Sequence, residues 1–148
     1  MRKPKSTLGK PKRRTQQFAA LPWRRKAAGG IEVLVITSRE TRRWVLPKGW
    51  PMKDRTPAQA AAQEAYEEAG VIGDAAAEPV GDYGYGKRMP RGAVHDVRVA
   101  VFALEVFVEH LAWPEKDQRE KLWTSREEAA DLVDEPELKD LIRAFDPQ

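Results

Sequence analysis

Three glutamates on an alanine-rich segment constrain this sequence more than any other feature. The segment from Pro57 to Ala69 carries Glu64, Glu67 and Glu68, which are spaced i, i+3 and i+4. If the segment forms a helix, this spacing places all three carboxylates on one face. The opposite stripe consists of small residues that allow close packing against a sheet: Ala58, Ala61, Ala62, Ala65 and Ala69. The sequence therefore predicts a helix with one acidic face and one face against a sheet.

The acidic face requires a physical explanation, because like charges repel. At a separation of roughly 6 Å and an effective dielectric constant of about 20, each carboxylate pair costs on the order of 3 kcal/mol. Such a cluster is expected to take up protons or to bind cations. The sequence contains no cysteine, and oxygen ligands favour a hard divalent ion such as Mg²⁺ or Mn²⁺. The alternative for any glutamate-rich helix is a solvated face, and the surrounding residues decide between the two.

Capping residues define the ends of this helix, and further segments define the fold. Thr56 and Pro57 suit the N-cap and the first helical position, and Gly70 suits the C-terminal end. Ser125 is a second predicted N-cap, with Glu128 at the capping-box position. Apolar and β-branched runs predict strands over 16–23, 31–37, 44–46, 80–85, 94–107 and 122–124, and helices follow over 126–132 and 136–145. This order predicts an α/β/α sandwich, with a mixed sheet flanked by helices.

Length and composition exclude several classes of protein. A chain of 148 residues with 41% hydrophobic residues suits one globular domain. No apolar run approaches the ~20 residues that a membrane-spanning helix needs. The basic N-terminus lacks the apolar core of a signal peptide, so we expect a cytoplasmic protein with no membrane partner. The absence of cysteine excludes disulfides and thiolate catalysis.

The first fifteen residues differ in charge from the rest of the chain. They contain seven basic residues and no acidic residue, although the net charge of the whole chain is only +3. Without hydrophobic periodicity, residues 1–15 are expected to form a disordered basic arm, and residues 16–148 the folded domain. The arm suits either a polyanion such as RNA or a role in solubility. It contains no aromatic residue, so base stacking is not indicated.

The residues from Gly49 to Val71 resemble the Nudix box, the defining motif of the Nudix hydrolases. Seven of its nine defined positions match: Gly49, Glu64, Ala65, Glu67, Glu68, Gly70 and Val71. Arg55 stands where the motif has glutamate, and Gln63 stands where it has arginine. Because those two side chains brace the loop against the helix in the family, we expect a looser loop with the metal ligands retained. A match of this length is far more specific than a lone glycine-rich loop.

The resemblance implies the Nudix fold over residues 16–145 and a metal-assisted hydrolysis of a diphosphate linkage. The implied ligands are the backbone carbonyl of Lys48 and the carboxylates of Glu64, Glu67 and Glu68. Metal ions in such sites bridge phosphate oxygens and lower the pKa of the attacking water. One of these glutamates, or an acid from a later loop, is implied to take the proton of that water. Glu120 is favoured over Glu115 for this additional role.

The lead-in Leu46-Pro47-Lys48-Gly49 is similar to bacterial hydrolases of diphosphoinositol polyphosphates and dinucleoside polyphosphates. The partner implied by this similarity is a small polyphosphorylated molecule. Basic residues in the loops support it, since they form charge-assisted contacts with phosphates. The favoured contacts are Arg42, Lys48, Lys87 and Arg88. For any one of them, the alternative is a basic side chain that only keeps the surface solvated.

A second function remains open from the sequence. A non-catalytic Nudix domain acting as a nucleotide sensor or RNA-binding regulator would fit the altered Arg55 and Gln63 and the basic arm. The three glutamates favour the enzyme, because a domain without activity is expected to have lost a carboxylate.

Overall fold

A computed structural model describes residues 15–147, and a mixed sheet of eight strands organises them. The strands are β1 (Gln16–Arg25), β2 (Ile31–Thr37), β3 (Trp44–Val45), β4 (Lys48–Gly49), β5 (Val71–Ala75), β6 (Gly81–Arg88), β7 (Val94–Glu109) and β8 (Lys121–Thr124). The helices are α1 (Pro57–Ala69), α2 (Arg126–Leu132) and α3 (Pro136–Ala144), with a short 3₁₀ turn at Lys116–Gln118.

β1 and β7 run parallel in the middle of the sheet. The main path of the sheet is β3-β2-β1-β7-β5, and β4, β6 and β8 pair with β1, β7 and β2. The long strand β7 has two antiparallel partners, because β6 pairs with its first half and β5 with its second half. β4 is antiparallel to the start of β1. This pairing holds the backbone of residues 48 and 49 at the end of the sheet from which α1 begins.

Side chains of the central strands alternate between two hydrophobic cores. On β1, Ala19, Leu21 and Trp23 pack with residues of α2 and α3, whereas Ala20 packs with the alanines of α1. On β2, the odd-numbered and even-numbered residues divide between the same two cores. Period-two alternation with both faces buried is the pattern of a sheet covered by helices on each side. The predicted α/β/α sandwich is confirmed.

The helix α1 has the predicted bounds and caps. The Thr56 side chain accepts a hydrogen bond from the backbone N–H of Gln59, and the Gln59 side chain accepts one from the backbone N–H of Thr56. Gly70 ends the helix with φ of 72°, a left-handed conformation that favours glycine. Ala58, Ala61, Ala65 and Ala69 are buried and Ala62 is half-buried. Both ends and one face of α1 are therefore fixed.

Two strands were absent from the sequence-based assignment. β4 has two residues, and β5 contains Gly73 and Asp74, which have low strand propensity. An ideal Cβ on Gly73 would lie 1.8 Å from the carbonyl oxygen of Glu105, so the close approach of β5 to β7 requires glycine. The capping-box assignment at Glu128 was also wrong in one respect, because the Glu128 side chain accepts a hydrogen bond from Thr124 instead.

Residues 1–14, which include all seven basic residues of the expected arm, lie outside the described residues. Within residues 15–147, no helix has both the length and the apolar character needed to cross a bilayer.

Candidate functional site

A cavity of about 1030 Å³ opens where α1, the β3–β4 segment and the end of β6 meet. Its lining is strongly charged. The basic residues are Arg39, Arg43, Lys48, Lys87, Arg88 and Arg119. The acidic residues are Glu40, Glu64, Glu68, Glu115, Asp134 and Glu135. Trp50 and Tyr85 add two aromatic surfaces, so the cavity combines charged and flat apolar groups.

Glu64 and Glu68 form a hydrogen-bonded pair of carboxyl groups on the cavity side of α1. Glu68 is only 7% exposed. Burial, followed by the hydrogen bond with Glu64, raises the pKa of Glu68 to about 9. Burial also raises the pKa of Glu64. Without a cation, we therefore expect the two carboxyls to share one proton, with Glu68 donating to Glu64.

Glu67 is placed differently from the other two glutamates. Its carboxylate accepts a hydrogen bond of 2.7 Å from the Nε2 of Gln63, and it is not among the cavity-lining residues. The Gln63 side chain thus keeps a polar contact where the Nudix box has arginine. Of the three predicted carboxylates, the structure brings two together at the cavity.

Gly49 determines how close Glu64 comes to the β4 backbone. An ideal Cβ at position 49 would lie 1.9 Å from the Oε2 atom of Glu64. Because β4 is held against β1 at Phe18 and Ala19, the backbone cannot retreat without breaking sheet pairing. The glycine of the motif therefore leaves space for a carboxylate.

Lys48 lies in the cavity with its ammonium group next to Tyr85. Its Nζ is 3.3 Å from the Tyr85 hydroxyl and 4.5 Å from the centre of that ring. The Tyr85 hydroxyl in turn donates to the Oε1 of Gln17 at 2.8 Å. Burial lowers the pKa of Lys48 to about 8. Near neutral pH the side chain is still mostly protonated, and it presents one positive charge to the cavity.

The segment between β7 and β8 closes one side of the cavity. Trp113 lies over Gly70 and donates a hydrogen bond to the backbone oxygen of Glu68, at 3.3 Å. The backbone N–H of Glu115 donates to the carbonyl of Glu67, at 3.0 Å. Both contacts tie this segment to the C-terminal end of α1, and they place the Glu115 carboxylate in the cavity.

Lys87 and Arg88, both predicted to bind phosphate, lie at the end of β6 and line the cavity. They form no ion pair within residues 15–147. Arg42 and Glu120 are not among the lining residues, and they form an ion pair with each other at 3.4 Å. Arg42 also donates a hydrogen bond to the backbone oxygen of Gln118, at 3.1 Å, which holds its side chain against the segment between β7 and β8.

Other lining residues were not selected from the sequence. Arg39 and Arg43 belong to the same charged turn as Arg42, and no sequence signal distinguishes the three. Arg119 has no distinguishing signal in the sequence, yet its side chain is only 9% exposed and contacts both Glu68 and Glu115 in the cavity wall. Only the fold brings it to α1, across a long interval of sequence.

The donor chemistry of the cavity fits a divalent cation in part. Glu64 and Glu68 are hard oxygen donors that both line the cavity, and burial raises the pKa of each carboxyl. However, among residues 15–147 no three Asp, Glu, His or Cys side chains are already grouped to hold a metal ion. A third protein ligand would have to be a backbone oxygen or a side chain that moves. The predicted Lys48 carbonyl and Glu67 carboxylate remain predictions.

Comparison with protein families gives a match over almost the whole domain. A model of the NUDIX domain matches residues 14–145. The chain belongs to the NUDIX family. The cavity lies beside α1, the helix that carries the family motif. Two of its lining residues, Glu64 and Glu68, are motif residues.

Curated relatives of this NUDIX domain include several from Arabidopsis thaliana. Nudix hydrolase 21, chloroplastic, is 34% identical over 133 residues, which cover 88% of this chain and 65% of the relative. Nudix hydrolase 13, mitochondrial, is 37% identical over 109 residues, which cover 69% of this chain and 53% of the relative. The chain thus spans between about half and two thirds of the length of these relatives.

Solved structures with the same fold come from several organisms. An Ap4A hydrolase from C. elegans superposes with a TM-score of 0.61 at 21% identity, covering 87% of this chain and 93% of the other. A NUDIX hydrolase from Nitrosomonas europaea gives a TM-score of 0.63 at 15% identity, covering 87% and 86% of the two chains. The NUDIX domain of Shewanella oneidensis NrtR, complexed with ADP ribose, gives 0.62 at 14% identity, covering 86% and 85%. At these identities the shared feature is the fold.

Proposed function

We propose that this NUDIX domain hydrolyses a phosphoanhydride bond in a highly anionic small molecule, with the help of Mg²⁺ or Mn²⁺. One observation carries the proposal. Two neighbouring carboxyls, the half-buried Glu64 and the buried Glu68, face the same cavity as Lys87 and Arg88, which have no ion-pair partner in the described chain. Hydrolysis of a diphosphate needs both features, carboxylates that bind a cation and basic side chains that bind the phosphate groups.

Glu64 and Glu68 would hold the cation, together with Glu67 and the Lys48 carbonyl if the motif helix adjusts. A bound divalent ion neutralises phosphate charge and lowers the pKa of a coordinated water. The carboxyl pair must lose its shared proton before it can accept such an ion. Metal affinity is therefore expected to rise with pH.

The phosphate groups would lie against the basic side chains of the cavity. Lys48, Lys87 and Arg88 supply three positive charges, and Arg39 lies on the turn next to them. Arg43 is already paired with Asp134 and Glu135 at 3.2 and 3.4 Å, so its charge is partly compensated. Charge-assisted hydrogen bonds from such groups fix the position of the chain of phosphates.

A carboxylate near the scissile bond would take the proton of the attacking water. We favour Glu115 over Glu120 for this role. Glu115 lines the cavity and is oriented by Arg119, whereas Glu120 is paired with Arg42 away from the lining.

The cavity is large enough for a substrate with bulky groups on its phosphate chain. Dinucleoside polyphosphates and inositol pyrophosphates both meet the charge requirement. Trp50 and Tyr85 provide flat surfaces for a base, and one fold neighbour is named an Ap4A hydrolase. Among the two, these features favour the dinucleoside polyphosphate.

The test is phosphate release from a panel of dinucleoside polyphosphates, nucleoside diphosphate derivatives and inositol pyrophosphates, with Mg²⁺ or Mn²⁺. We expect turnover by the full chain that falls at least about 100-fold in Glu68→Gln. A chain lacking residues 1–15 is expected to keep that turnover, and any RNA binding lost with the segment is measured separately.

A nucleotide sensor is the second candidate, and one observation favours it. The described residues contain no preformed group of three metal-binding side chains. The NrtR domain, whose solved complex contains ADP ribose, shows that this fold can bind a nucleotide derivative. Binding of a nucleotide by wild-type protein without turnover of any panel member would support the sensor and overturn the hydrolase.

A further inference from the structure

The side chain of Arg119 is buried against two acidic groups and a backbone carbonyl. It is only 9% exposed. Its Nε and Nη2 atoms each lie 2.9 Å from the Oε1 of Glu115, and Nη1 donates to the carbonyl of Thr37 at 3.1 Å. Nη2 is also 3.8 Å from the Oε1 of Glu68. A buried guanidinium with this many acceptors has essentially one orientation.

These contacts join parts of the chain that are far apart in sequence. Thr37 ends β2, Glu68 lies in the last turn of α1, and Glu115 belongs to the segment that closes the cavity. The same segment is tied to α1 through the backbone N–H of Glu115. Arg119 therefore links the end of β2 to two carboxylates, Glu68 on α1 and Glu115 on the closing segment. A shift of any one of these elements changes the contacts of the other two.

The sequence of α1 explains why a cation from elsewhere is needed. The Nudix box has arginine at the position of Gln63, and Gln63 is neutral and bonds only to Glu67. A positive charge next to the motif carboxylates must then come from outside the helix. Arg119 is the basic residue that pairs with Glu68 within residues 15–147.

We propose that Arg119 is a positioning residue, which holds the carboxylates of Glu68 and Glu115 at the cavity wall and supplies the positive charge that the Nudix box provides through arginine at the position of Gln63. The inference rests on the proposed function for its effect on turnover, and on the geometry alone for its effect on cation binding. Two roles of the guanidinium predict opposite changes in cation affinity when Arg119 is removed. As a mere positive charge it repels a cation, so its removal would tighten binding. As a positioning group it keeps the donors aligned, so its removal weakens binding.

The decisive measurement is Mn²⁺ binding to the metal-free full chain by electron paramagnetic resonance, with Mn²⁺ as the only added ligand. Arg119→Gln is expected to raise the Mn²⁺ dissociation constant about tenfold, and Arg119→Lys, which keeps the charge, by less. Arg143→Gln is the matched control, because Arg143 pairs with Asp131 and Glu127 on the surface, and it is expected to bind as wild type. Unchanged or tighter binding in Arg119→Gln overturns the proposal.

Kinetics give a second, separate test. With an active substrate, Arg119→Gln is expected to lower kcat about tenfold or more with KM within about twofold, since the residue acts through Glu115 and Glu68. The double variant with Glu115→Gln is expected to lose little more than either single one. A rise in KM alone would make Arg119 a substrate contact and overturn the proposal. If the wild-type protein hydrolyses no substrate, the proposed hydrolase function is wrong. The Mn²⁺ binding result still decides whether Arg119 is a positioning residue.

Should Arg119→Gln fail to fold, as judged by circular dichroism, Arg119→Lys and Glu115→Gln carry the same binding test. Wild-type Mn²⁺ affinity in both of these folded variants overturns the proposal.

Discussion

The carboxylate of Glu64 occupies the space that a side chain at position 49 would need. An ideal Cβ on Gly49 would lie 1.9 Å from Oε2 and 2.4 Å from Cδ of Glu64. Both atoms belong to the end of a flexible side chain, so an added methyl group moves the carboxylate more easily than it moves the backbone. The glycine is therefore required for the position of a functional group more than for the fold.

Gly49→Ala is expected to keep the melting temperature within about 3 °C of wild type and to lower kcat at least about tenfold. Scanning calorimetry and the phosphate-release assay measure the two effects. Gly81→Ala is the control, because its Cβ would meet the flexible Leu141 side chain at 3.0 Å, outside the cavity. Full activity in Gly49→Ala would show that Glu64 does not need its present position.

The stability of the metal-free chain is expected to fall as pH rises because of Glu68. Its pKa is raised from 4.5 to about 9 in the folded state, so the folded protein binds a proton that the unfolded chain releases above pH 4.5. This favours unfolding progressively between about pH 4.5 and pH 9. In EDTA at pH 8.5, Glu68→Gln is expected to raise the melting temperature by about 3 °C or more, and by less at pH 5.

The control for this prediction is Glu78→Gln, an exposed residue, which is expected to change neither melting temperature. Equal melting temperatures of Glu68→Gln and wild type at both pH values would contradict the assigned burial penalty.

Basic residues inside and outside the cavity are expected to behave differently towards substrate. Arg88→Ala removes a lining charge and is expected to raise KM about tenfold, the loss of roughly one charge-assisted hydrogen bond. Arg42→Ala removes a charge that is paired with Glu120 and does not line the cavity, so KM is expected to change less than about twofold. Steady-state kinetics at two salt concentrations measure KM for both variants. A larger rise in KM for Arg42→Ala than for Arg88→Ala would contradict the placement of the turn at 39–43.

Gly70→Ala is expected to destabilise the fold by about 2 kcal/mol or more. The residue has φ of 72°, and a Cβ there would lie 2.5 Å from the ring of Trp113. Gly30→Ala isolates the conformational part of this cost, because Gly30 has a similar φ of 80° but has nothing within 4 Å of an added Cβ. Urea denaturation of the two variants should give the larger loss for Gly70→Ala, and equal losses would mean that Trp113 moves aside freely.

The sequence determined α1 completely, because each of its signals is local. Thr56, Pro57 and Gly70 define the ends, and the alanine spacing defines the buried face. By contrast, β5 was missed since Gly73 and Asp74 have no strand preference of their own. Only pairing with β7 makes them a strand, and pairing with Val106 and Glu105, more than thirty residues away, leaves no periodic signal.

The cavity residues also divide into those that local sequence signals predict and those that only the fold brings together. Glu64 and Glu68 come from one contiguous motif and Lys48 directly precedes its first residue, so the sequence predicts that all three line one site. The choice of Arg42 and Glu120 relied on residue type and on position in a loop. In the structure, those two residues pair with each other, while Arg119 and Glu115 from the same segment as Glu120 reach the cavity. Side-chain direction in an irregular turn depends on backbone dihedrals that composition does not specify.

The parallel pairing of β1 with β7 has a consequence for biosynthesis. Residues 16–23 have their partners at residues 98–105, so a nascent chain on the ribosome holds its first strand unpaired on that side until most of the domain has been made. The alanine face of α1 also needs Phe102 and Leu104 to complete its core. Long-range pairing of this kind is slow to form. The two motif glutamates would then reach their final surroundings only near the end of translation.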